Sequence, residues 1–326
     1  MKDLSHKIAF IADDIKHLSE FGVHHNGTFG LMLASEVSYL CESKDLSLEN
    51  NKAYGVFNKI KSEKKFGNHL NVISTEKMPL DSFNLIFARK DPPVNEEFHT
   101  YLEILKIASL NSKLRIINSP YGIAQTNEKL CTFNFPELIP KTIVTSTKET
   151  AKEFIKRHKT VVIKPINNKG GNGVCLIKDG EDLDSILDEN LSTFHTIILQ
   201  EYLPEITTGD KRILILNGEI LGGIYRIPKT GEFLSHISRG ASYKKLDLSN
   251  RDKYICEQII PFLLKNGLYF VGIDIIGDYL IEINLTCPSN IIEVGECNER
   301  NIAKEIIDIC LSNIEDRSIY KICEEI

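Results

Sequence analysis

The fold is decided by residues 270–284, FVGIDIIGDYLIEIN. Apolar and polar positions alternate on both sides of a central Gly-Asp pair, which predicts a β-hairpin whose strands each have one apolar face. When the two apolar faces coincide, the polar faces coincide too. This parity requires an odd number of loop residues, such as Ile276–Asp278 with a left-handed glycine in a bulge. We therefore expect Asp274, Glu282 and Asn284 to share one face.

The polar face of this hairpin predicts a metal site. Two carboxylates and an amide oxygen are hard ligands, and together they suit Mg²⁺ held between a protein and the phosphates of its substrate. The alternative for Asp274, Glu282 and Asn284 is a solvated sheet face, where carboxylates are common and carry no function.

Composition places the chain among ordinary globular proteins. It has 326 residues, 39 Lys plus Arg and 45 Asp plus Glu, for a formal net charge of −6. This acidic balance argues against a nucleic-acid partner. No stretch approaches the roughly 18 uncharged apolar residues of a membrane-spanning helix, and Ile8–Ala12 before Asp13 is too short for a signal-peptide core. We expect a cytoplasmic protein without a membrane partner.

The cysteines are expected to be reduced thiols. The chain has eight of them, and none forms a C-x-x-C pair or lies near a His at a spacing typical of zinc sites. They therefore predict neither a disulfide framework nor a metal centre.

The first part of the chain has the pattern of an α/β domain. Residues 7–12 predict a strand, Thr28 is a candidate cap for a helix over 29–40, and residues 84–88 predict a second buried strand. That strand ends at residues 89–93, RKDPP, where the prolines stop it and leave three charges at its carboxyl end. Ligands of open α/β sheets gather at such ends.

The second half is richer in strands. The predicted elements are a helix at 148–158, strands at 160–164, 174–177, 196–201, 211–216 and 220–227, a helix at 249–265 capped by Ser249, the 270–284 hairpin and a closing helix at 298–313. The Asn217-Gly218 pair is a strong hairpin signal between two of these strands.

A glycine-rich loop follows Lys164 at a predicted strand end. The loop, NNKGGNG over 167–173, contains Gly170, Gly171 and Gly173. Such glycines let backbone N–H groups approach phosphate oxygens, and a lysine supplies a point charge against them. The sequence is neither a P-loop nor G-x-G-x-x-G. It predicts a phosphate cover, with a flexible hairpin tip as the alternative.

Two further features suit a nucleotide site. The extended segment 200–204, QEYLP, can offer backbone donors and acceptors to an adenine ring while a carboxylate holds ribose hydroxyls. Arg212, Arg226 and Arg239 can each bind a phosphate or carboxylate through two hydrogen bonds, with surface solvation as the alternative.

Together these parts resemble the bacterial glutathione synthetases of the ATP-grasp superfamily, over nearly the whole chain. The resemblance is carried by the order and spacing of RKDPP (89–93), NSP (118–120), NEKL (127–130), KP (164–165) with the glycine loop, QEYLP (200–204), GDKR (209–212), RIP (226–228), GLYFVGIDIIGD (267–278) and EINLT (282–286). It implies an α/β architecture: an N-terminal α/β (pre-ATP-grasp) domain over 1–120, then an ATP-grasp fold over 121–326 with a mobile lid subdomain at about 128–203.

The resemblance also implies a role for each candidate residue. ATP would contact Lys129, Lys164, Gly170, Gly171, Gly173, Gln200, Glu201, Tyr202, Leu203 and Asp210, with Glu201 or Asp210 near the ribose. Two Mg²⁺ ions, or Mn²⁺ in their place, would be bound by Asp274, Glu282 and Asn284. Arg212 and Arg226 would act in catalysis, and substrate contacts would come from Arg89, Asp91, Arg239 and Ser289.

In this family the γ-phosphate of ATP passes to a substrate carboxylate, and an amine attacks the resulting acyl phosphate. The implied substrates are γ-glutamylcysteine and glycine, and the implied assembly is a homo-oligomer. Two segments depart from the family pattern: 229–240 is shorter and lacks an arginine, and residues 286–289 are TCPS where Thr-Ser-Pro-Thr is usual. Both lie where the family holds its peptide and amino acid. The alternatives are therefore a ligase of the same chemistry for another acyl donor or amine, in a specialised peptide or natural-product pathway, and a nucleotide-binding module without turnover.

Overall fold

The amino-terminal residues form a sheet with helices packed on it. A computed structural model describes residues 6–13, 26–35, 37–63, 70–110 and 114–315. The elements of this part are β1 (Ile8–Ala12), α1 (Gly27–Ala34), β2 (Val37–Glu42), β3 (Leu46–Glu49), β4 (Lys52–Ser62), β5 (Leu70–Pro79), β6 (Leu85–Arg89), α2 (Glu96–Ser109), β7 (Arg115–Ile117) and α3 (Pro120–Gln125). The sheet order is β3-β4-β2-β1-β6-β7, with β5 paired to β4.

Strands β1 and β6 are parallel neighbours, so the predicted RKDPP segment leaves the sheet at its carboxyl end. The predicted helix over 29–40 is confirmed for residues 29–34 and wrong beyond Ala34. The side chain of Asn26, not Thr28, caps α1 by accepting from the N–H of Phe29, and the helix ends at Ala34. Residues 37–42 instead form a strand, because Tyr39–Glu42 pair in parallel with β1 and this pairing buries Leu40 and Cys41.

The next residues form a small unit with an apolar core of its own. Its elements are β8 (Thr142–Thr145), α4 (Lys148–His158), β9 (Thr160–Pro165), β10 (Cys175–Lys178), α5 (Leu183–Phe194) and β11 (Ile197–Glu201). The sheet order is β10-β9-β11-β8, and both helices pack on it around Phe154, Ile163 and Leu199. This is the region predicted to form the lid, and we refer to residues 142–201 as the lid below.

A third, five-stranded sheet carries the predicted 270–284 hairpin. Its elements are β12 (Asp210–Leu216), β13 (Glu219–Ile227), β14 (Ser242–Lys245), α6 (Asn250–Lys265), β15 (Phe270–Ile276), β16 (Tyr279–Asn284), α7 (Ile291–Asn298) and α8 (Ile302–Glu315). The order β14-β13-β12-β15-β16 is antiparallel throughout. The predicted Asn217-Gly218 turn and the Ser249 cap, a capping box, are both confirmed.

The predicted closing helix over 298–313 is wrong at its start. Glu299 adopts a left-handed backbone with φ of 55° and ends α7, and Asn301 then accepts from the N–H of Lys304 at the start of α8. The two large sheets share their apolar packing: Ile11 and Ile273 belong to one buried cluster, and Phe10 and Leu214 belong to another. The fold thus fixes the amino-terminal sheet against the sheet that carries the polar hairpin face.

The predictions about membrane-spanning helices and about cysteines can be compared with the described residues only. Within the ranges that the structure describes, no helix is long and apolar enough to cross a membrane. The seven cysteines in those ranges are free thiols, and Cys323 lies outside the described residues.

Candidate active site

A cavity of about 490 Å³ lies between the lid, including its glycine loop, and the polar face of the five-stranded sheet that carries the 270–284 hairpin. The predicted site residues that line it are Asp91, Lys129, Lys164, Gly170, Gly171, Gln200, Glu201, Tyr202, Leu203, Asp210, Arg212, Arg226, Arg239, Asp274, Glu282, Asn284 and Ser289. Gly173 and Arg89 do not line it. The fold therefore brings together residues that lie up to 198 positions apart in the sequence, from Asp91 to Ser289.

The shared face of the hairpin is confirmed, although its parity arises differently. Asp274 lies directly opposite Glu282, and Asn284 lies opposite Gly272. The loop has two residues, not three, and the register shifts between Asp274 and Ile275 so that Ile281 stays unpaired. This β-bulge adds one residue to β16, as a third loop residue would have done, and so brings the polar side chains of both strands to the same face.

Four charged side chains alternate across β13, β12 and β15. Arg212 donates from Nε and Nη2 to the two carboxylate oxygens of Asp274, at 2.6 and 3.0 Å. Arg226 binds Asp210 in the same two-fold manner, at 2.8 and 2.6 Å, and its Nη2 also lies 2.9 Å from Asp274 Oδ1. All four side chains are buried, so each charge depends on its neighbours.

This ion-pair ladder keeps Asp274 and Arg226 in their charged forms. Burial alone raises the pKa of Asp274, but Arg212 and Arg226 outweigh it and hold that pKa well below its usual range. Burial opposes the charge of Arg226, and Asp210 and Asp274 outweigh it, so the pKa of Arg226 is raised further. His236, which lines the cavity nearby, has a lowered pKa because of burial and the charge of Arg226. Asp274 is therefore a carboxylate and His236 a neutral imidazole at pH 7.

The donor set on this face fits a divalent metal when a substrate adds ligands. Among the residues that the structure describes, no group of three His, Cys, Asp or Glu side chains could hold an ion. Asn284 donates from Nδ2 to Asp274 Oδ2 at 3.3 Å, an orientation that leaves its Oδ1 for a ligand, and Glu282 lines the same cavity. Asp274 stays a predicted ligand whose oxygens here accept from arginines. Mg²⁺ is commonly held by one or two carboxylates and completed by phosphates and water.

Both predicted phosphate lysines reach the cavity. Lys129 Nζ lies 3.2 Å from Glu282 Oε1 and donates to the carbonyl of Asn168 at 2.6 Å. Lys164 Nζ donates to Gln200 Oε1 at 2.6 Å. Burial lowers the pKa of Lys164 to about 8, with the charge of Lys129 adding to this effect and that of Glu282 opposing it. Both lysines thus line the cavity, Lys129 in contact with Glu282 and Lys164 in contact with Gln200.

The glycine loop lines the cavity and packs against Leu234 and His236. Gly170 and Gly171 have φ of 64° and 72°, and a Cβ on Gly171 would lie 2.9 Å from Leu234. Lys169 forms a 2.6 Å ion pair with Asp91 of the amino-terminal unit. The predicted substrate residue Asp91 therefore holds the loop in this structure.

Two more predicted residues take part in packing around the loop. A Cβ on Gly173 would lie 2.7 Å from Pro165, so this glycine permits close packing of the loop base. Arg239, predicted to contact substrate, donates to Asn172 Oδ1 at 2.6 Å. The Arg239–Asn172 contact joins the loop to a residue outside the lid, whereas the Gly173–Pro165 contact lies within the lid.

The predicted adenine segment forms one end of the cavity. The N–H groups of Glu201 and Tyr202 donate to the carbonyls of Lys141 and Thr160, at 2.9 and 3.2 Å. Asp210 is committed to Arg226, as described above, whereas Glu201 is only partly buried. Of the two residues predicted near the ribose, Glu201 is therefore the one with a carboxylate open to the cavity.

The remaining predicted substrate residues meet at the loop after β16. Arg89 is buried; it donates to the carbonyl of Pro288 at 2.8 Å and to Thr28 Oγ1 at 3.1 Å. Its Nη1 has no hydrogen-bond partner among the described residues. Ser289 Oγ accepts from Arg212 Nη1 at 3.2 Å.

Sequence reasoning missed Glu128 and the pairing of the ladder. Glu128 precedes Lys129, and its Oε1 accepts from the N–H groups of Leu285 and Thr286 at 2.8 and 2.9 Å. Burial and the charge of Glu282 raise its pKa. The NEKL segment contains Glu128, but no local pattern shows that it meets residues more than 150 positions away.

Comparison with known proteins gives one consistent family. Residues 6–123 match the family model of the prokaryotic glutathione synthetase N-terminal domain, and residues 128–299 match that of the prokaryotic glutathione synthetase ATP-grasp domain. The glutathione synthetase of Coxiella burnetii is 36% identical over 309 residues, which is 92% of this chain and 95% of that protein. That of Buchnera aphidicola is 34% identical over 322 residues, 97% and 98% of the two chains.

Solved structures agree on the fold. D-cycloserine synthetase DcsG matches with a TM-score of 0.65 and 12% identity, over 93% of this chain and 99% of that one. The ATP-grasp ligase PsnB matches with a TM-score of 0.59 and 14% identity, over 96% and 100%. The predicted fold class, an N-terminal domain followed by an ATP-grasp fold, is confirmed. The chain belongs to the prokaryotic glutathione synthetase family.

Proposed function

We propose that this chain is an ATP-dependent ligase that joins the carboxylate of γ-glutamylcysteine to the amine of glycine, with release of ADP and phosphate. Family membership over both domains supports the proposal. The single observation that carries it is the register of β15 and β16. It places Asp274, Glu282 and Asn284 on the wall of one cavity with Lys129 and Lys164.

In this proposal ATP spans the cavity from the lid to the hairpin face. The backbone at 201–203 receives the adenine ring, with Glu201 near the ribose hydroxyls. Lys129 and Lys164 bind the phosphates through their ammonium groups, while the N–H groups around Gly170 cover them.

The reaction requires charge neutralisation more than acid or base catalysis. A carboxylate oxygen of the donor forms a bond to the γ-phosphorus as the bond to the ADP oxygen breaks, which gives an acyl phosphate. The amine then attacks the acyl carbon, and phosphate leaves with the oxygen that the carboxylate contributed. Arg212 and Arg226 place positive charge where the tetrahedral oxyanion forms, and the closed loop over Gly171 excludes water from the acyl phosphate.

A divalent metal, when bound, neutralises charge on the phosphates. We propose that two Mg²⁺ ions, or Mn²⁺ in their place, are held by Glu282, Asn284 and Asp274 together with phosphate oxygens. The donor chemistry supports this, because these are hard oxygen ligands on one face of the sheet.

A second candidate is a ligase of the same chemistry with another acyl donor or amine. The segment that departs from the family pattern, 229–240, supplies Leu234 and His236 to the cavity wall. These side chains lie next to Gly171 and so narrow the space beside the glycine loop. That narrowing favours a small molecule as the amine acceptor.

One experiment separates these candidates. The purified protein is incubated with Mg²⁺, ATP, a panel of small carboxylates that includes γ-glutamylcysteine, and a panel of small amines, and both ADP and product mass are measured. We expect γ-glutamylcysteine and glycine to give one ADP per amide. If another carboxylate and amine gave more product, the second candidate would be supported: the reaction would be the same and its substrates would differ. ATP binding without ADP formation on any pair would contradict the ligase proposal and support a nucleotide-binding module. We also propose that the protein is located in the cytoplasm. Homo-oligomerisation stays a prediction, which a mass measurement by light scattering would test.

A further inference from the structure

The loop after β16, residues 285–290, is held from several sides. Asn118 donates to the carbonyl of Leu285 at 2.7 Å. Arg89 and Arg212 bind Pro288 and Ser289, as described above. Through these contacts the 285–290 loop joins the amino-terminal sheet to the ion-pair ladder. The family resemblance implies that residues 286–289 lie where the peptide and the amino acid bind, so we take this loop as part of the acyl-donor site of the proposed function.

Glu128 holds the start of this loop. Its Oε1 accepts three hydrogen bonds: from the N–H of Leu285 at 2.8 Å, from the N–H of Thr286 at 2.9 Å and from Oγ1 of Thr286 at 2.9 Å. Its backbone carbonyl accepts from the N–H of Ile283 at 3.0 Å. Glu128 therefore holds three residues of this short stretch, Ile283, Leu285 and Thr286, through both its backbone and its side chain.

The residue next to Glu128 belongs to the nucleotide site. Lys129 contacts Glu282 and the carbonyl of Asn168 in the glycine loop. The preceding residue, Asn127, accepts from the N–H of Lys129 at 3.0 Å and donates to Asn167 of the same loop at 3.2 Å. Lys129 and Glu128 therefore belong to one short segment that contacts the glycine loop through Asn127 and Lys129 and the 285–290 loop through Glu128.

We propose that Glu128 is a positioning residue that couples nucleotide binding to acyl-donor binding. The inference rests on the proposed function and goes beyond it. Nucleotide contact at Lys129 stabilises the segment that carries Glu128, and the three hydrogen bonds of Glu128 transmit this stabilisation to the 285–290 loop, where the donor binds. Such coupling has a defined signature, because each ligand must tighten the other by the same factor.

The first test measures the dissociation constant of γ-glutamylcysteine with and without a non-hydrolysable ATP analogue, by calorimetry. In the unsubstituted protein we expect the ratio of the two constants to be at least about fivefold. In Glu128→Ala, which removes all three acceptor bonds, the ratio should fall close to one. Glu128→Gln keeps an Oε1 acceptor and should retain most of the ratio.

A matched control separates coupling from loss of stability. Asp252 is another buried acid: it accepts from the N–H and the hydroxyl of Ser249 at the start of α6 and forms a 2.6 Å ion pair with Lys211, and it does not line the cavity. Asp252→Ala should lower the melting temperature and leave the ratio unchanged. An unchanged ratio in Glu128→Ala, or the same loss in both Glu128 variants, would overturn the proposal.

A second readout needs no donor, so it distinguishes failure of this inference from failure of the proposed function. Hydrogen–deuterium exchange is followed in peptides that cover 283–290, with and without the ATP analogue. We expect the analogue to slow exchange in the unsubstituted protein and in Glu128→Gln, but not in Glu128→Ala. Equal slowing in all three proteins, or no slowing in the unsubstituted one, would contradict the coupling. Absence of donor binding alone would contradict only the choice of γ-glutamylcysteine.

Discussion

Asp274→Asn is the substitution that tests the ion-pair ladder most sharply. Both oxygens of Asp274 accept from Arg212, at 2.6 and 3.0 Å, and Oδ1 also lies 2.9 Å from Arg226. The four ladder side chains carry two positive and two negative charges. Asn has nearly the same shape but no charge, so the variant leaves one uncompensated positive charge in a buried cluster.

The expected cost follows from that imbalance. Removing one partner of a buried ion pair costs about 3–5 kcal/mol. Because Asn keeps one acceptor oxygen, we take the lower end, about 3 kcal/mol, which reduces the ratio of folded to unfolded protein by about 150-fold. The free energy of unfolding should be measured with urea, without metal or nucleotide. Circular dichroism is the suitable probe, since the chain has no Trp.

The same hairpin offers a control. Asp278→Asn makes the identical change at an exposed turn position and should cost less than about 0.5 kcal/mol. The pH dependence adds a second check, because the lowered pKa of Asp274 stabilises the folded protein above the unfolded-state pKa of about 3.9 and this contribution is lost as the pH falls. The difference between the unsubstituted protein and Asp274→Asn should stay constant from pH 7 to about 5 and narrow below about pH 4. A cost below about 1 kcal/mol at pH 7 would refute the ladder as described.

Three other changes have defined outcomes. Gly272→Ala places a Cβ 3.2 Å from Cδ of Arg212, so that side chain must shift by a few tenths of an ångström and kcat should fall by up to about tenfold with the circular dichroism spectrum unchanged; an unchanged kcat would mean that the reaction does not depend on this exact position of the arginine. Because Lys164 has a pKa of about 8 before nucleotide binds, ADP affinity measured by calorimetry should weaken as the pH rises through about 8, and Lys164→Met should bind ADP weakly with no such step; a step that persists in the variant would assign it elsewhere. Lys169→Ala removes the partly exposed ion pair with Asp91 and should speed proteolysis of the glycine loop by a broad-specificity protease by at most about fivefold, since such pairs contribute about 1 kcal/mol or less; an acceleration of a hundredfold would mean that this pair alone keeps the loop closed.

Local patterns predicted the hairpins well because their determinants lie within a few residues. The strands of the 270–284 hairpin begin and end where the alternation predicts, and Asn217-Gly218 forms the turn that its left-handed preference favours. The bulge at Ile281 was missed because Leu280, Ile281 and Ile283 are all apolar. Only the packed sheet shows that Leu280 and Ile283 face the core.

Features that depend on distant partners could not be read from the sequence in this way. The sequence alone predicts helix for residues 37–40, because the residues of β1 that pair with this strand lie 30 positions earlier. The ladder joins Arg212 to Asp274 through the register of β12 on β15, and the sequence alone does not give that register. Gly173 was predicted to contact phosphate, whereas its lack of a Cβ permits packing on Pro165. The residue roles and the domain limits of 1–120 and 121–326 stay predictions.

The central claim is that this face activates a carboxylate by transferring phosphate to it. The most direct test uses γ-glutamylcysteine labelled with ¹⁸O in its C-terminal carboxylate, with ATP, Mg²⁺ and glycine, and measures the label in the released phosphate by mass spectrometry. An acyl phosphate must carry one carboxylate oxygen into each phosphate, so the account predicts one ¹⁸O per phosphate and per amide formed. Unlabelled phosphate accompanied by amide product would contradict it.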